Sequence, residues 1–278
     1  MNNYSFQIMR AVRKFYQIKQ VDFAPIIQTS QSALSKIEAG ILELSAAQWL
    51  SICEKYSLDP RCLFNGKIEN LGDRKIKVQD LRDVGGYQIP EQYSHMMGSS
   101  VRTAYPLIKF MRMRLGDKVT GDYLKSTGFD PDYFLIMNNP LNLKFIEHLV
   151  LFLISKGVLS LSNVGSIIDL TSFKDIHSSV VSDLGNSPSI ETAAKKLLAR
   201  VKLSYEQNTF YEFEGGKHFV VAKDEDFVKD FKLSSEFNTF RQNFNLAHFQ
   251  GLNDFVSEGQ NAFKSKTISD GWIIIKAS

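Results

Sequence analysis

Between Gln28 and Gly40 the chain reads QTSQSALSKIEAG. Gln31 and Ser35, and Ser32 and Lys36, stand four residues apart, so on a helix all four side chains share one face. Their chemistry is hydrogen bonding rather than proton transfer. An amide offers a donor and an acceptor together, a hydroxyl offers either, and an ammonium donates and carries charge. Leu34 and Ile37 fall on the opposite, core-facing side. Ser30 is a good N-cap, because its hydroxyl can accept from an orphan backbone N–H. Gly40 is a natural stop, since glycine enters the left-handed conformation freely.

Such a face suits the DNA major groove. Glutamine can pair bidentately with adenine, serine can bond base or phosphate, and a lysine can neutralise the backbone. A helix N-terminus also presents free N–H groups to phosphate. Other chemistry is sparse. His95, His148, His177, His218 and His248 show no ligand spacing, and nothing resembles a zinc site. Cys53 and Cys62 form neither a metal pattern nor a disulfide framework. No nucleophile elbow, phosphate loop or paired catalytic acids stand out. Asp130 precedes Pro131 and reads as a helix cap, with Asp132 beside it. No enzyme activity, cofactor or metal is expected. LIKFMRMRLGDK gathers Lys109, Arg112, Arg114 and Lys118; it reads as a solvated basic face or, alternatively, an anion site.

The elements that would position the polar face are short. Ile8, Val12 and Phe15, with Met9 and Tyr16 beside them, mark one side of a first helix. QVDFAPIIQ reads as a second helix, Ser30 opens a third, and Ser45-x-x-Gln48 matches a capping box for a fourth. That fourth helix is expected to turn Trp49, Leu50 and Cys53 inward. Asp59-Pro60 opens a fifth turn. Residues 1–66 hold seven basic and five acidic side chains, a net +2. So weak a charge means that any nucleic-acid function must lean on geometry.

Residues 10–64 resemble the N-terminal domain of XRE-type, phage-repressor-like helix-turn-helix regulators. The residues that carry the likeness are Arg13, Gln20, Ala24, Ser30, Ser32, Ser35, Lys36, Ile37, Glu38 and Gly40, at the family's spacing and without a gap. The likeness covers roughly a fifth to a quarter of the chain. It implies that Gln20 touches phosphate, that Gln31, Ser32 and Ser35 face bases, and that Lys36 meets base or phosphate. Ser30 belongs to the same DNA-binding set. It also implies a structural ion pair between Arg13 and Glu38. Two departures stand out. Gln28 occupies the turn where the family usually has glycine, which puts a side chain at a position of positive φ. Pro25 follows Ala24 within the second helix. A regular helix there would cost roughly 3 kcal/mol, so a kink or a late start is expected.

The rest of the chain is read as a linker over 67–86, with a short strand at Lys75 to Val78, and an α+β region over 87–278 with antiparallel hairpins. Helices are expected at 106–116, 118–127, 141–156 and 188–206, the last opening at Pro188. Hairpins are expected around Gly215-Gly216 and Asp270-Gly271. The fold class is therefore an all-α helix-turn-helix domain of about five short helices, followed by a larger α+β domain. The 21 Phe and 10 Tyr supply a core first. LIKFMRMRLGDKVTGDYLKSTGFDPDYFLIMNNPLNLKFIEHLVLFLISKG bears a faint resemblance to effector domains of some AraC-type regulators.

No apolar run approaches the roughly 20 residues that cross a bilayer, and MNNYSFQIMRAVRKF lacks the apolar core of a secretory signal. A cytoplasmic location is expected. Net charge is +3 and the pI about 8.7, compatible with nucleic acid. The expected function is sequence-specific transcriptional regulation by a homodimer on a palindromic double-stranded DNA operator, with a small-molecule effector as a possible second ligand. Two alternatives remain: a peptide-responsive regulator with a helical-repeat second half, and an enzyme with an appended DNA-binding head.

Overall fold

The computed structural model describes residues 4–72, 75–171, 187, 190–214, 219–250, 265–269 and 272–276. It opens on α1 (Ser5–Phe15), α2 (Gln20–Phe23), α3 (Gln31–Glu38), α4 (Ala46–Tyr56) and α5 (Cys62–Asn65). Helix α1 buries Ile8, Met9, Ala11 and Val12 along one stripe, the spacing of an amphipathic helix. Helix α2 starts at Gln20, where the sequence puts it, and lasts one turn. Pro25 has no N–H to continue the ladder, and the chain tightens into a 3-10 turn over Ala24–Ile27. Gln28 then takes the left-handed conformation, φ 51° and ψ 47°. The Gln28 and Thr29 amides donate to Pro25 and Ala24, and these bonds help offset a strain of about 1–2 kcal/mol.

The caps expected at Ser30 and Ser45 are present, but α5 begins at Cys62 behind Arg61 with no side-chain cap, so Asp59-Pro60 form only the turn before it, with Asp59 accepting from the Arg61 amide. The Ser30 hydroxyl accepts from the Ala33 amide, and Ser45 and Gln48 exchange both bonds of a capping box. In α4 Trp49 and Cys53 are buried together with Ile52, but Leu50 is 56% exposed. One residue advances a helix by about 100°, so Leu50 rotates away from the stripe that Trp49 begins.

The described part of the expected linker, 67–72 and 75–86, packs against the rest of the molecule. Ile68, Leu71 and Ile76 are buried. Ile68 donates to the Leu135 carbonyl and accepts from the Met137 amide, at 2.7 and 2.9 Å. Lys75 to Val78 form no strand, contrary to expectation. Their backbone finds single partners, such as the Leu203 carbonyl for the Ile76 amide, and no ladder. The strands lie just beyond: β1 (Asp83–Val84) and β2 (Tyr87–Gln88) pair antiparallel. Their turn, Gly85-Gly86, presses on the end of α1. A Cβ at Gly86 would sit 2.1 Å from the Lys14 carbonyl oxygen, and one at Gly85 would sit 2.4 Å from that of Phe15. Only glycine permits that approach.

The larger region is mixed. Strands β3 (Ser99–Ser100) and β4 (Pro140–Leu141) pair antiparallel. Helix α6 runs from Val101 to Ser126 and bends at Gly116, φ 85° and ψ 167°, so the two expected helices meet at a kink and the first begins five residues early. Next come α7 (Leu143–Ser155), α8 (Gly165–Thr171), α9 (Ile190–Ser204), β5 (Thr209–Glu214), β6 (Phe219–Asp224), α10 (Ser235–Gln250), β7 (Ser265–Ser269) and β8 (Trp272–Lys276). The last four strands form one antiparallel sheet in the order β5-β6-β8-β7. The hairpin tips Gly215-Gly216 and Asp270-Gly271, and Pro188, lie outside the described residues. Overall the chain is mostly helical with small antiparallel sheets.

Tyr93, Phe129, Tyr133, Phe134 and Phe145 pack ring on ring at 5.0 to 5.7 Å between centroids. This cluster is continuous with the apolar faces of α1, α3 and α4 in a single core. No helix among the described residues is long and apolar enough to cross a membrane.

Candidate nucleic-acid interface

The polar face of α3 is built from behind. Leu34 and Ile37 are 0% and 3% exposed and fix the helix against its neighbours. Glu38, at its last position, is buried and takes both arms of Arg13. The Nε–Oε1 distance is 2.5 Å and the Nη2–Oε2 distance 2.8 Å. Arg13 Nη1 also donates to the Ile18 carbonyl at 2.8 Å. A two-pronged pair of this kind sets angle as well as distance, so α1 orients α3. The two residues that the family likeness pairs do meet.

Gln31, Ser32, Ser35 and Lys36 are all exposed. Among the described residues, none of these four side chains has a hydrogen-bond or ion-pair partner. Ser30 is exposed too, but its hydroxyl is occupied by the cap. Gln20 is placed differently. Its amide nitrogen donates to Glu38 Oε2 at 2.8 Å, so the side chain braces the ion pair from the third side and keeps only its carbonyl oxygen free of that task. Neighbouring Val21 and Ile41 expose apolar surface, 59% and 72%. Lys19 on the approach to α2 is exposed as well.

Sequence reasoning missed the second set of contacts made by α1. Arg10 grips Asp132 with Nε and Nη2, at 2.5 and 2.8 Å, while its Nη1 reaches the Glu38 carbonyl at 3.2 Å. Lys14 bonds Asp130 at 2.5 Å and Asp132 at 3.2 Å. The bond to Asp132, outweighing the cost of burial, raises the Arg10 guanidinium above its ordinary value. Asp130 does cap the turn after it, accepting from the Asp132 amide at 3.0 Å, and it has this further partner. Arg10 thus touches the end of α3 with one nitrogen and the larger region with two others. A 10/14 spacing on a helix hints at a shared partner, but nothing in sequence names residues more than a hundred positions away.

The face carries donors, acceptors and one cation, and no group placed to move a proton or a phosphoryl. Among the described residues no three His, Cys, Asp or Glu side chains gather as a metal site. Burial raises the Cys53 thiol to about 11, so it is an inert core group. Comparison with protein-family models, with characterised proteins and with solved structures finds no match for this chain.

Proposed function

We propose that the protein is a sequence-specific DNA-binding regulator in which α2, the left-handed turn at Gln28 and α3 act as a helix-turn-helix. The observation that carries this reading is the exposed, unpartnered row of Gln31, Ser32, Ser35 and Lys36 on a helix whose other side is clamped by Arg13 and Glu38. A solvated face needs no such clamp, whereas a reading face does, because base contacts fail when their side chains are misplaced by an ångström. Gln31, Ser32 and Ser35 meet base edges, Lys36 meets base or phosphate, and Lys19 and the outer atoms of Gln20 lie toward the backbone.

A single module of this size covers only about 600–1,000 Å² of DNA. The protein therefore acts as a two-fold dimer on a palindrome with half-sites one helical turn apart, and the larger region supplies dimerisation, ligand sensing or both. The four-stranded antiparallel sheet leaves the helical-repeat alternative without support. Selection of bound duplexes from random DNA by the full chain tests the reading. Enrichment of a palindrome is the expected result. No enriched sequence, or enrichment that survives Gln31→Ala unchanged at every base position, overturns it.

A further inference from the structure

Helices α6, α7, α9 and α10 converge on a partly open cavity of about 90 Å³. That is room for a compact occupant only. Leu107, Ile146, Leu197, Phe237 and Phe240 make most of the lining apolar. Water gains little in such a space, and an apolar occupant displaces it at a profit.

Two arginines reach this lining, and they differ. Arg241 is committed: both arms hold Asp224, at 2.9 and 2.6 Å, and Nη2 also meets the Thr209 hydroxyl. Arg102 is 4% exposed and only partly satisfied. Its Nη2 donates to the Glu69 carbonyl at 3.2 Å and to Asn138 Oδ1 at 3.1 Å, its Nη1 lies 3.5 Å from the Glu69 carboxylate, and its guanidinium lies over the Tyr205 ring. Its buried Nε has no partner. A buried donor left unmade is costly and rare in native proteins, and here it belongs to a permanently charged group beside an apolar cavity. Glu206 lines the same cavity, so the lining as a whole is not an anion trap. What it lacks is one acceptor oxygen.

We propose that this cavity binds a compact, mainly apolar small molecule bearing one acceptor oxygen group, an amide or a carboxylate, which engages Arg102. The site is tied to the connecting segment. Arg102 holds Glu69, and Asn138, which Arg102 also holds, donates to the Glu69 and Leu71 carbonyls at 3.1 Å each. An occupant that draws on Arg102 therefore acts directly on the stretch leading to the opening helices. The ligand's role as an effector rests on the DNA-reading proposal; the site itself does not.

The test titrates the full chain with benzamide, benzoate, toluene and benzylamine, followed by ligand-observed NMR. Benzamide or benzoate binds about tenfold more tightly than toluene, the difference that a hydrogen bond to a charged group supplies, and benzylamine binds worst. Leu198→Trp, a half-exposed lining position, fills the mouth and abolishes binding. Arg102→Met brings the best ligand down to the level of toluene; if that variant fails to fold, Leu198→Trp decides alone. Equal affinity for all four compounds, no binding of any, or unchanged binding to Leu198→Trp overturns the proposal. DNA selection is run separately, so a chain that binds benzamide yet enriches no duplex sinks the regulator and leaves the site standing.

Discussion

Two stretches of this molecule look like rivals for a nucleic acid. LIKFMRMRLGDK in α6 carries four basic side chains, and QSALSKIE in α3 carries one. Counted as charge, the first is the better candidate. The structure distributes them the other way. In α6, Arg112 pairs with Asp117 at 2.9 Å, Lys118 with Asp122 at 3.1 Å, and Arg114 lies over the Phe110 ring. Each of those three charges has a partner within α6. In α3 the ionic grip is on the inner side, where Arg13 and Gln20 hold Glu38, and the outer side chains are unspent. The lesson is that pairing, more than charge count, separates a face available to a ligand from one that is merely solvated.

The hardest blow to the contrast is Glu38→Ala. It leaves the half-buried Arg13 without its carboxylate partner and should cost about 2–3 kcal/mol of stability in urea unfolding; a loss below about 1 kcal/mol would mean that α3 is not clamped. Next is Asp132→Ala, which removes the acceptor of Arg10 and Lys14. A loss of about 2 kcal/mol is expected, along with weaker DNA binding, since Arg10 also holds the end of α3. Unaltered DNA affinity in a folded Asp132→Ala chain would uncouple the two regions.

Gln31→Ala should leave the unfolding midpoint in place and cost about 1–3 kcal/mol of discrimination at one base position. If the DNA-reading proposal holds, Lys36→Ala should lower affinity evenly and flatten the salt slope by about one unit. The matching change in α6, Lys118→Ala, should move stability by less than about 0.5 kcal/mol and leave the salt slope alone. A slope that falls for Lys118 and not for Lys36 reverses the assignment of faces.

The smallest effect concerns pH. His148 Nδ1 lies 2.8 Å from the Tyr93 hydroxyl. Burial, and after it the charge of Lys144, lower its proton affinity below the ordinary 6.5. The unfolded chain therefore binds that proton more readily than the folded one. Stability is full above pH 6.5 and declines as pH falls through the lowered folded value. Unfolding of the full chain followed from about pH 7 to about pH 5.5 should show this decline, and His148→Gln should remove its share. A wild-type curve that is flat there refutes this reading of His148.

The local parts of the candidate site were legible. Ser30, Ser45 and Gly40 announce their helix ends because a cap needs only its near neighbours. The face of α3 follows from periodicity. Leu50 was misread for the same local reason, since being apolar beside Trp49 does not place it on the buried stripe. Lys75 to Val78 suggested a strand by composition, but a strand exists only where another chain segment supplies the ladder. Gly85-Gly86 fell at the end of the expected linker, whereas its purpose is contact, to let a turn lie against α1.

From sequence alone came the order of short helices, the exposed chemistry of α3 and the antiparallel hairpins of the larger region, all consequences of neighbours within a few residues. Tertiary structure alone decided that α1 grips Asp130 and Asp132, that Gln20 turns toward Glu38, and that Arg102 is left with an unmet donor beside an apolar cavity. Each of these joins side chains far apart along the chain. Which partners meet there is set by how the whole core closes, and no local pattern encodes that.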